Sequence, residues 1–306
     1  MYCSLSSPRP ARRAGLDFAG GPGDSAGMQQ VSPSPSFASL TIETSGGVAT
    51  VTLVGPGKGN RMGPDFWREM PIAFERLERD DAVRAVVIKG SGPSFSVGLD
   101  LIGMGEELAV LLAEPNLAAE RVVLHDLIVR MQRTMTCVAE CRKPVIAAIS
   151  GWCIGGGVDL ATACDIRLAS ADAKLSVREV KLAIVADVGS LQRLPHIVGQ
   201  GVARELAMTG DDITAERALR IGLVNEVYPT QAALFEAAQA MATRIAKNPP
   251  IVVQGVKSVL NYGMGRPVAE GLAHVALHNT AYLPSLDLRE AMASFMEKRE
   301  ANFKGK

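Results

Sequence analysis

Three carboxylates stand out by their surroundings: Asp159 in "GGGVDLATAC", Glu179 in "LSVREVKLAI" and Asp187 in "VADVGSLQRL". Each lies among apolar residues. Burial of that kind raises a carboxyl pKa toward neutrality, and a general acid or base needs only hydrogen-bond reach of the atom it serves. Taken singly the same residues have structural uses, an Asp near a helix start as a dipole partner and a Glu there as a cap. At the level of residues both readings stand.

Directly ahead of Asp159 run three glycines, Gly155, Gly156 and Gly157. Glycine in regular structure costs about 0.5–1 kcal/mol relative to alanine, so a cluster marks a tight turn or a close backbone approach to a ligand. Three glycine-dependent motifs fail here. A phosphate loop needs a Lys where Gly157 and Val158 follow Gly156. The spacing from Gly151 to Gly155 does not match a dinucleotide fingerprint. Neither this turn nor "PSFSVG" supplies a serine elbow. What remains is a turn aiming backbone N–H groups outward at a helix N-terminus, where the dipole favours developing negative charge. An oxyanion takes two donors, and "KGSGPSFSVGLDL" occupies the matching place in the preceding unit, offering the Leu99 amide after Gly98. Plain turn glycines are the alternative, and the pattern does not separate the two.

The other polar residues read as structural. His125, His196, His274 and His278 lie in helical contexts without a nucleophile motif; Asp165 opens a strand, Asp172 sits in a turn, and Asp100 caps a helix starting near Leu101. Lys143, Arg193 and Lys257 are candidates for meeting phosphates, against a solvated face for each. Cysteines at 3, 137, 141, 153 and 164 form no CxxC pair, which fits packing in a reducing compartment and neither a disulfide framework nor a zinc site.

The elements that must position these residues alternate. "LTIETSGGVATVTLV" reads as a hairpin turning at Gly46 and Gly47. "PDFWREMPIAFERLERD" has helical spacing, and "VRAVVIKG" after it is a buried strand. A long helix over about 116–141 leads into "KPVIAAIS", a continuous apolar strand of the kind parallel sheets bury on both faces. A helix opens at the glycines, "DIRLAS" and "AKLSV" are short strands, and the chain is mostly helical from 189. The class is α/β, with a helical C-terminal region from 213. Residues 1–37, rich in Ser, Pro, Gly and Ala, carry no core pattern and are expected to be disordered; they faintly resemble a transit peptide, with Met28 as an alternative start. The expected compartment is cytoplasmic, or mitochondrial if that segment is a transit peptide.

With 306 residues, 47% of them hydrophobic, the chain can bury a large core. Lys plus Arg equals Asp plus Glu at 32 each, so the overall balance does not point to a nucleic acid as the main partner, local patches aside, and no uncharged apolar run is long enough for a membrane span.

Several segments in order, "SFSVGLDL", "SGWCIGGGVDLATACDIRLAS" and "GSLQRLPHIVGQGVARELAMTG", resemble the crotonase superfamily of enoyl-CoA hydratases and isomerases, and the likeness runs from about Leu40 to the C-terminus. The resemblance implies a crotonase-like spiral of ββα units over 38–212, and a helical trimerisation region over 213–306 giving a homo-trimer or hexamer. It also implies an acyl-CoA thioester as substrate with no further cofactor and no metal. In that family the thioester oxygen sits between two backbone N–H groups, here those of Leu99 and Gly156. Hydratases place two acids at the positions of 159 and 179, but the first is Asp here, one methylene shorter, which disfavours water addition. "REVKLAIVADVGSLQRLP" is similar to the Δ3,5-Δ2,4-dienoyl-CoA isomerase branch, which carries acids at all three positions. The likeness assigns Glu179 as base at the α carbon, Asp187 as acid at the far end of the diene, and Asp159 as a helper through position and charge. Gly59, where many relatives have a basic residue, and "RMGPDF" depart from the pattern in the CoA-contacting loop. A hydratase, or a binding protein that has lost chemistry, are the competing expectations.

Overall fold

In the computed structural model, which describes residues 36–112 and 117–306, the first hairpin forms as its turn dictates. Strands β1 (Leu40–Ser45) and β2 (Val48–Leu53) pair antiparallel with Ser45 opposite Val48, and Gly46 and Gly47 take φ of +58° and +82°. Both positive values match the right-handed twist of the strands, which an ordinary turn would splay. Helix α1 (Pro64–Arg79) starts on a proline whose missing N–H would be unpaired in any case. It is followed by β3 (Ala85–Gly90), α2 (Gly105–Leu108), α3 (Ala118–Glu140), β4 (Val145–Ile149), β5 (Trp152–Ile154) and α4 (Gly156–Ala163). Next come β6 (Ile166–Ser170), β7 (Lys174–Ser176), α5 (Ser190–Val198), α6 (Gln200–Thr209), β8 (Ile213–Thr214), α7 (Ala215–Arg220) and β9 (Glu226–Tyr228). Four helices close the chain: α8 (Gln231–Ala246), α9 (Pro250–Gly263), α10 (Val268–Tyr282) and α11 (Leu286–Glu297).

The main sheet runs β1-β2-β3-β4-β6-β9, parallel from β2 onward, and β5, β7 and β8 make a second, smaller sheet. The units β4–β5–α4 and β6–β7–α5 each give one strand to each sheet and then a helix, so these turns stack as a spiral. The continuous apolar strands are buried on both faces. In β4, Val145, Ala147 and Ile149 enter one core with α1 and α3, while Ile146 and Ala148 enter another beneath α8. Alternation along the strand makes this division unavoidable.

The domain boundary expected at 213 is not a break in packing. Residues 36–306 form one compact unit, β9 extends the main sheet beyond β6, and α8 covers its second face. The helix does so through Leu234, Ala238, Ala242 and Ala246, spaced four apart on one stripe, with three alanines letting it lie close to the strands. Helical content in this region hid a helix that belongs to the core. Of residues 1–37, expected to be disordered, 1–35 lie outside the described residues. Phe37 is half-buried against the core with the Arg76 guanidinium 5.6 Å from its ring centroid, and Glu69 accepts hydrogen bonds from the amides of Ala38 and Ser39. Among the described residues no helix is long and apolar enough to cross a membrane.

Candidate active site

Residues 96–100 bridge two other segments, Ser96 to Cys153 and Leu99 to Met62. Ser96 N donates to Trp152 O (3.0 Å) and Ile154 N to Ser96 O (2.9 Å) on one side. On the other, Met62 N donates to Gly98 O (2.8 Å) and Asp100 N to Met62 O (3.1 Å). In this parallel bridge both bonds to Met62 come from the residues flanking Leu99, so the Leu99 N–H itself faces away from Met62. Gly156 opens α4, and the first N–H groups of a helix have no acceptor within it. Neither amide donates a hydrogen bond among the described residues.

The glycines allow the two amides to share one small space. At Gly98 φ is +81°, and a methyl group there would stand 2.7 Å from Ile154 O and 2.9 Å from Gly156 N. On Gly156 a methyl would meet Met62 Sδ at 2.9 Å and lie 3.8 Å from Leu99 N. Two free donors a few ångströms apart at a helix N-terminus suit a developing oxyanion. Both positions exclude a side chain because another backbone or buried atom occupies its place, which a turn alone does not require.

Asp159, in the first turn of α4, is fully buried. Its Oδ1 accepts from Ser190 N at 2.5 Å, the first amide of α5, and Oδ2 has no hydrogen-bond partner. Burial pushes its pKa up to about 6, opposed by the Ser190 hydrogen bonding and by the Arg193 guanidinium. Glu179 begins a single 3-10 turn (Glu179–Leu182) that ends at Ala183 in the left-handed region, φ +58°. Its Oε1 lies 3.1 Å from where a methyl on Gly155 would be, and Oε2 is buried without a partner. Desolvation first, and the neighbouring Asp159 charge second, push its pKa up to about 7. Asp187 is half-buried, and burial raises its carboxyl as well. Its flanking residues Ala186 and Val188 are buried in the core, so alternation turns Asp187 away from it.

Leu99, Gly156, Asp159, Glu179 and Asp187 all line one cavity of about 450 Å³, within the range of small-molecule sites. Its apolar wall includes Trp67, Leu101 and Met131; Trp152, Arg178 and Lys181 also line it. Of these, Trp67 and Met131 lie on apolar helix stripes that read only as core until α1 and α3 pack together. Ser190 N was missed too, although a helix start after Gly189 is the kind of place that binds an anion.

Two cations expected as phosphate candidates are engaged elsewhere. The Lys143 ammonium is buried and donates to Leu77 O at 2.6 Å and to Asp80 O, while Lys257 pairs with Asp165 Oδ2 at 2.8 Å. Both hold segments together. Asp100 does not cap a helix: α2 starts only at Gly105, with no side-chain cap, and the buried Asp100 carboxylate faces Arg61 at 3.8 Å. Its chain position before the turn was right for a cap, but the residues after it form turns that place the helix start too far on. The four described cysteines are free, and Cys141, Cys153 and Cys164 are buried in the core.

The sequence model of the family described as enoyl-CoA hydratase/isomerase matches residues 43–306. A Dictyostelium discoideum protein named Delta(3,5)-Delta(2,4)-dienoyl-CoA isomerase, mitochondrial, is 45% identical over 257 residues, covering 84% of this chain and 87% of its own. The human protein of the same name is 41% identical over 270 residues, 88% of this chain and 82% of its own. Among solved structures, a putative enoyl-CoA hydratase from Streptomyces coelicolor A3(2) superposes with a TM-score of 0.82 at 31% identity, covering 92% of this chain and all (100%) of that one. With its free amide pair, its buried acids and a family match over most of its length, the chain belongs to the enoyl-CoA hydratase/isomerase family.

Proposed function

We propose that this enzyme converts 3,5-dienoyl-CoA thioesters to the 2,4-dienoyl isomers. The observation that carries the reading is the meeting of three acids, Asp159, Glu179 and Asp187, with the Leu99 and Gly156 amides on one cavity. The names of the D. discoideum and human relatives support the same substrate class.

The thioester oxygen sits between the two amides. Glu179, with a pKa near 7, removes a proton from C2, and the electron pair moves into the carbonyl and along the diene as an extended enolate. Each donor in a site of this kind contributes about 3–4 kcal/mol to the transition state. Asp187 then delivers a proton to C6, which leaves double bonds at C2 and C4. Conjugation separates the two proton transfers in space, so base and acid can occupy different environments and opposite protonation states. Asp159 transfers no proton in this scheme. Its charge beside Glu179 helps keep that carboxyl basic, which is the second cause of the raised pKa.

Water addition is the less supported reading. It asks Asp159 to share a water with Glu179, but one Asp159 oxygen is held by the first amide of α5 and the side chain is fully buried. The oligomer is proposed as a trimer or a hexamer built from trimers. In the single chain Leu272 and Met292 on α10 and α11 are 63% and 62% exposed, more apolar surface than a lone subunit keeps uncovered without cause. For the compartment, the names of the two relatives favour the mitochondrial alternative over the cytoplasmic one.

An ultraviolet assay with 2-enoyl-CoA and 3,5-dienoyl-CoA side by side tests the reading. A red-shifted gain with the dienoyl substrate is expected. Loss of the enoyl chromophore without that gain would make the enzyme a hydratase, and no change with either would leave a binding protein.

A further inference from the structure

The segment carrying Asp187 is unusual in how little holds it. Among the described residues, 185–188 neither donate nor accept a backbone–backbone hydrogen bond; the ladder stops at Ile184 N to Glu179 O and resumes with bonds to Gly189 O. Apolar burial of Ala186 and Val188 fixes the depth of the strip but not its position along or across the surface. Two side chains supply the direction. Gln132 Nε2 on α3 donates to the Asp187 carbonyl at 2.7 Å, and the Arg193 guanidinium lies 3.5 Å from the next carbonyl, Val188 O, and 3.4 Å from Thr136 Oγ1. Gln132 and Thr136 are four apart, one turn along the same face of α3. The shorter and better-defined of the two tethers is the one to Asp187 itself.

We propose that Gln132 is a positioning residue for the isomerisation: it ties the backbone of Asp187 to α3 and so sets where the Asp187 carboxyl meets the far end of the diene. This rests on the reading of Asp187 as the distal acid. Gln132 is an exposed residue on a long helix that also packs against α1 and α4. A tether from such a rigid element to a loop without a ladder transfers the helix's precision to the loop. A displacement of about 1 Å in a reacting group is enough to cost up to ~100-fold in rate. Glu179, held in its own turn, does not depend on this tether.

The test is Gln132→Met, which keeps length and helix propensity and removes the donor. Turnover of 3,5-dienoyl-CoA is followed by absorbance, and exchange of the C2 proton in deuterated water by mass spectrometry of recovered substrate. The expected result is a fall in kcat of about tenfold with KM and C2 exchange within about twofold of wild type. Added to Asp187→Asn, the substitution should have no further effect, because its target is already gone. An unchanged kcat would overturn the proposal, as would an equal loss of exchange and turnover, which is how general damage to the fold would read. Full isomerase activity in Asp187→Asn alone would overturn the distal-acid reading and this proposal with it, whereas a disabled Asp187→Asn beside an unaffected Gln132→Met would overturn the tether only.

Discussion

Replacing Glu179 by Gln should make the protein more stable as well as inactive, and the gain should depend on pH. In the folded chain the carboxyl titrates near 7 instead of its ordinary 4.5, chiefly because burial penalises the charge. A carboxyl whose folded pKa is raised stabilises the fold fully only below its unfolded value, and that contribution is lost as pH rises through the folded one. At about 1.4 kcal/mol for each pH unit between the two values, the ionised base costs the native state ~3 kcal/mol at pH 8. At pH 5, where the unfolded group is mostly ionised and the folded group is not, the cost is only ~1 kcal/mol. Gln carries no charge at either pH. The advantage of Glu179→Gln over wild type should therefore grow by roughly 2–3 kcal/mol from pH 5 to pH 8. Urea unfolding followed by tryptophan fluorescence at the two pH values measures it directly. A difference that stays constant with pH, or shrinks toward pH 8, would show that Glu179 is not held as a buried base.

The same titration sets the pH profile of activity: kcat/KM should rise with pH up to about 7 as Glu179 ionises, and a profile flat between pH 5 and pH 8 would contradict its role as base. Gly156→Ala should lower kcat by about 10²–10³, the scale for losing one oxyanion donor, because its methyl would press on Met62 Sδ at 2.9 Å and displace the amide; kinetics with intact CoA-ester binding distinguish this from misfolding. Asp187→Asn should depress isomerisation by about 10²–10⁴ while C2 exchange continues, and Glu179→Gln should abolish both, as mass spectrometry in deuterated water will show. Light scattering at micromolar concentration should give a trimer or hexamer; a stable monomer would mean that α10 and α11 keep their apolar residues in water.

Much of the fold was legible because local chemistry and tertiary packing agree. Two glycines between alternating runs turned where expected, and the unbroken apolar run at 145–149 went into the centre of a parallel sheet. The site was legible where it depends on backbone, since glycines at 98 and 155–157 mark places that exclude side chains. What could not be read is what depends on distant segments meeting. Lys143 and Lys257 look alike in sequence to any solvent-facing cation, and only the arrival of Leu77 O and Asp165 shows that they are consumed internally. In the same way α8 shows small residues at every fourth position, a pattern shared by surface helices, until the second face of the sheet is seen to need covering.

That division bears on how the three acids acquire different tasks. All are carboxylates in apolar sequence, and nothing local ranks them. Asp159 is set apart by the α5 N-terminus, whose first amide takes one of its oxygens and leaves a buried charge beside Glu179. Glu179 is set apart by that neighbour and by an unpartnered oxygen, which together leave it basic near neutrality. Asp187 differs in the other direction: among the described residues no helix-terminal amide hydrogen-bonds its carboxylate, its neighbours on the chain are core residues, and its backbone is held by a side chain from α3. The proposed roles match which element contacts each acid, so substitutions in those elements should redistribute the chemistry without touching an acid at all. Ser190→Pro would put this to the test, because proline at the first position of α5 removes the N–H that holds Asp159, at the cost of shifting Gly189 (φ +132°, ψ −10°) toward the extended backbone a following proline requires. Losing that donor should raise the Asp159 pKa further and leave less charge on it at pH 7, which in turn lowers the Glu179 pKa by weakening the charge next to it. The acid limb of the kcat/KM profile should then move below pH 7, and a limb that stays where wild type has it would refute this division of roles.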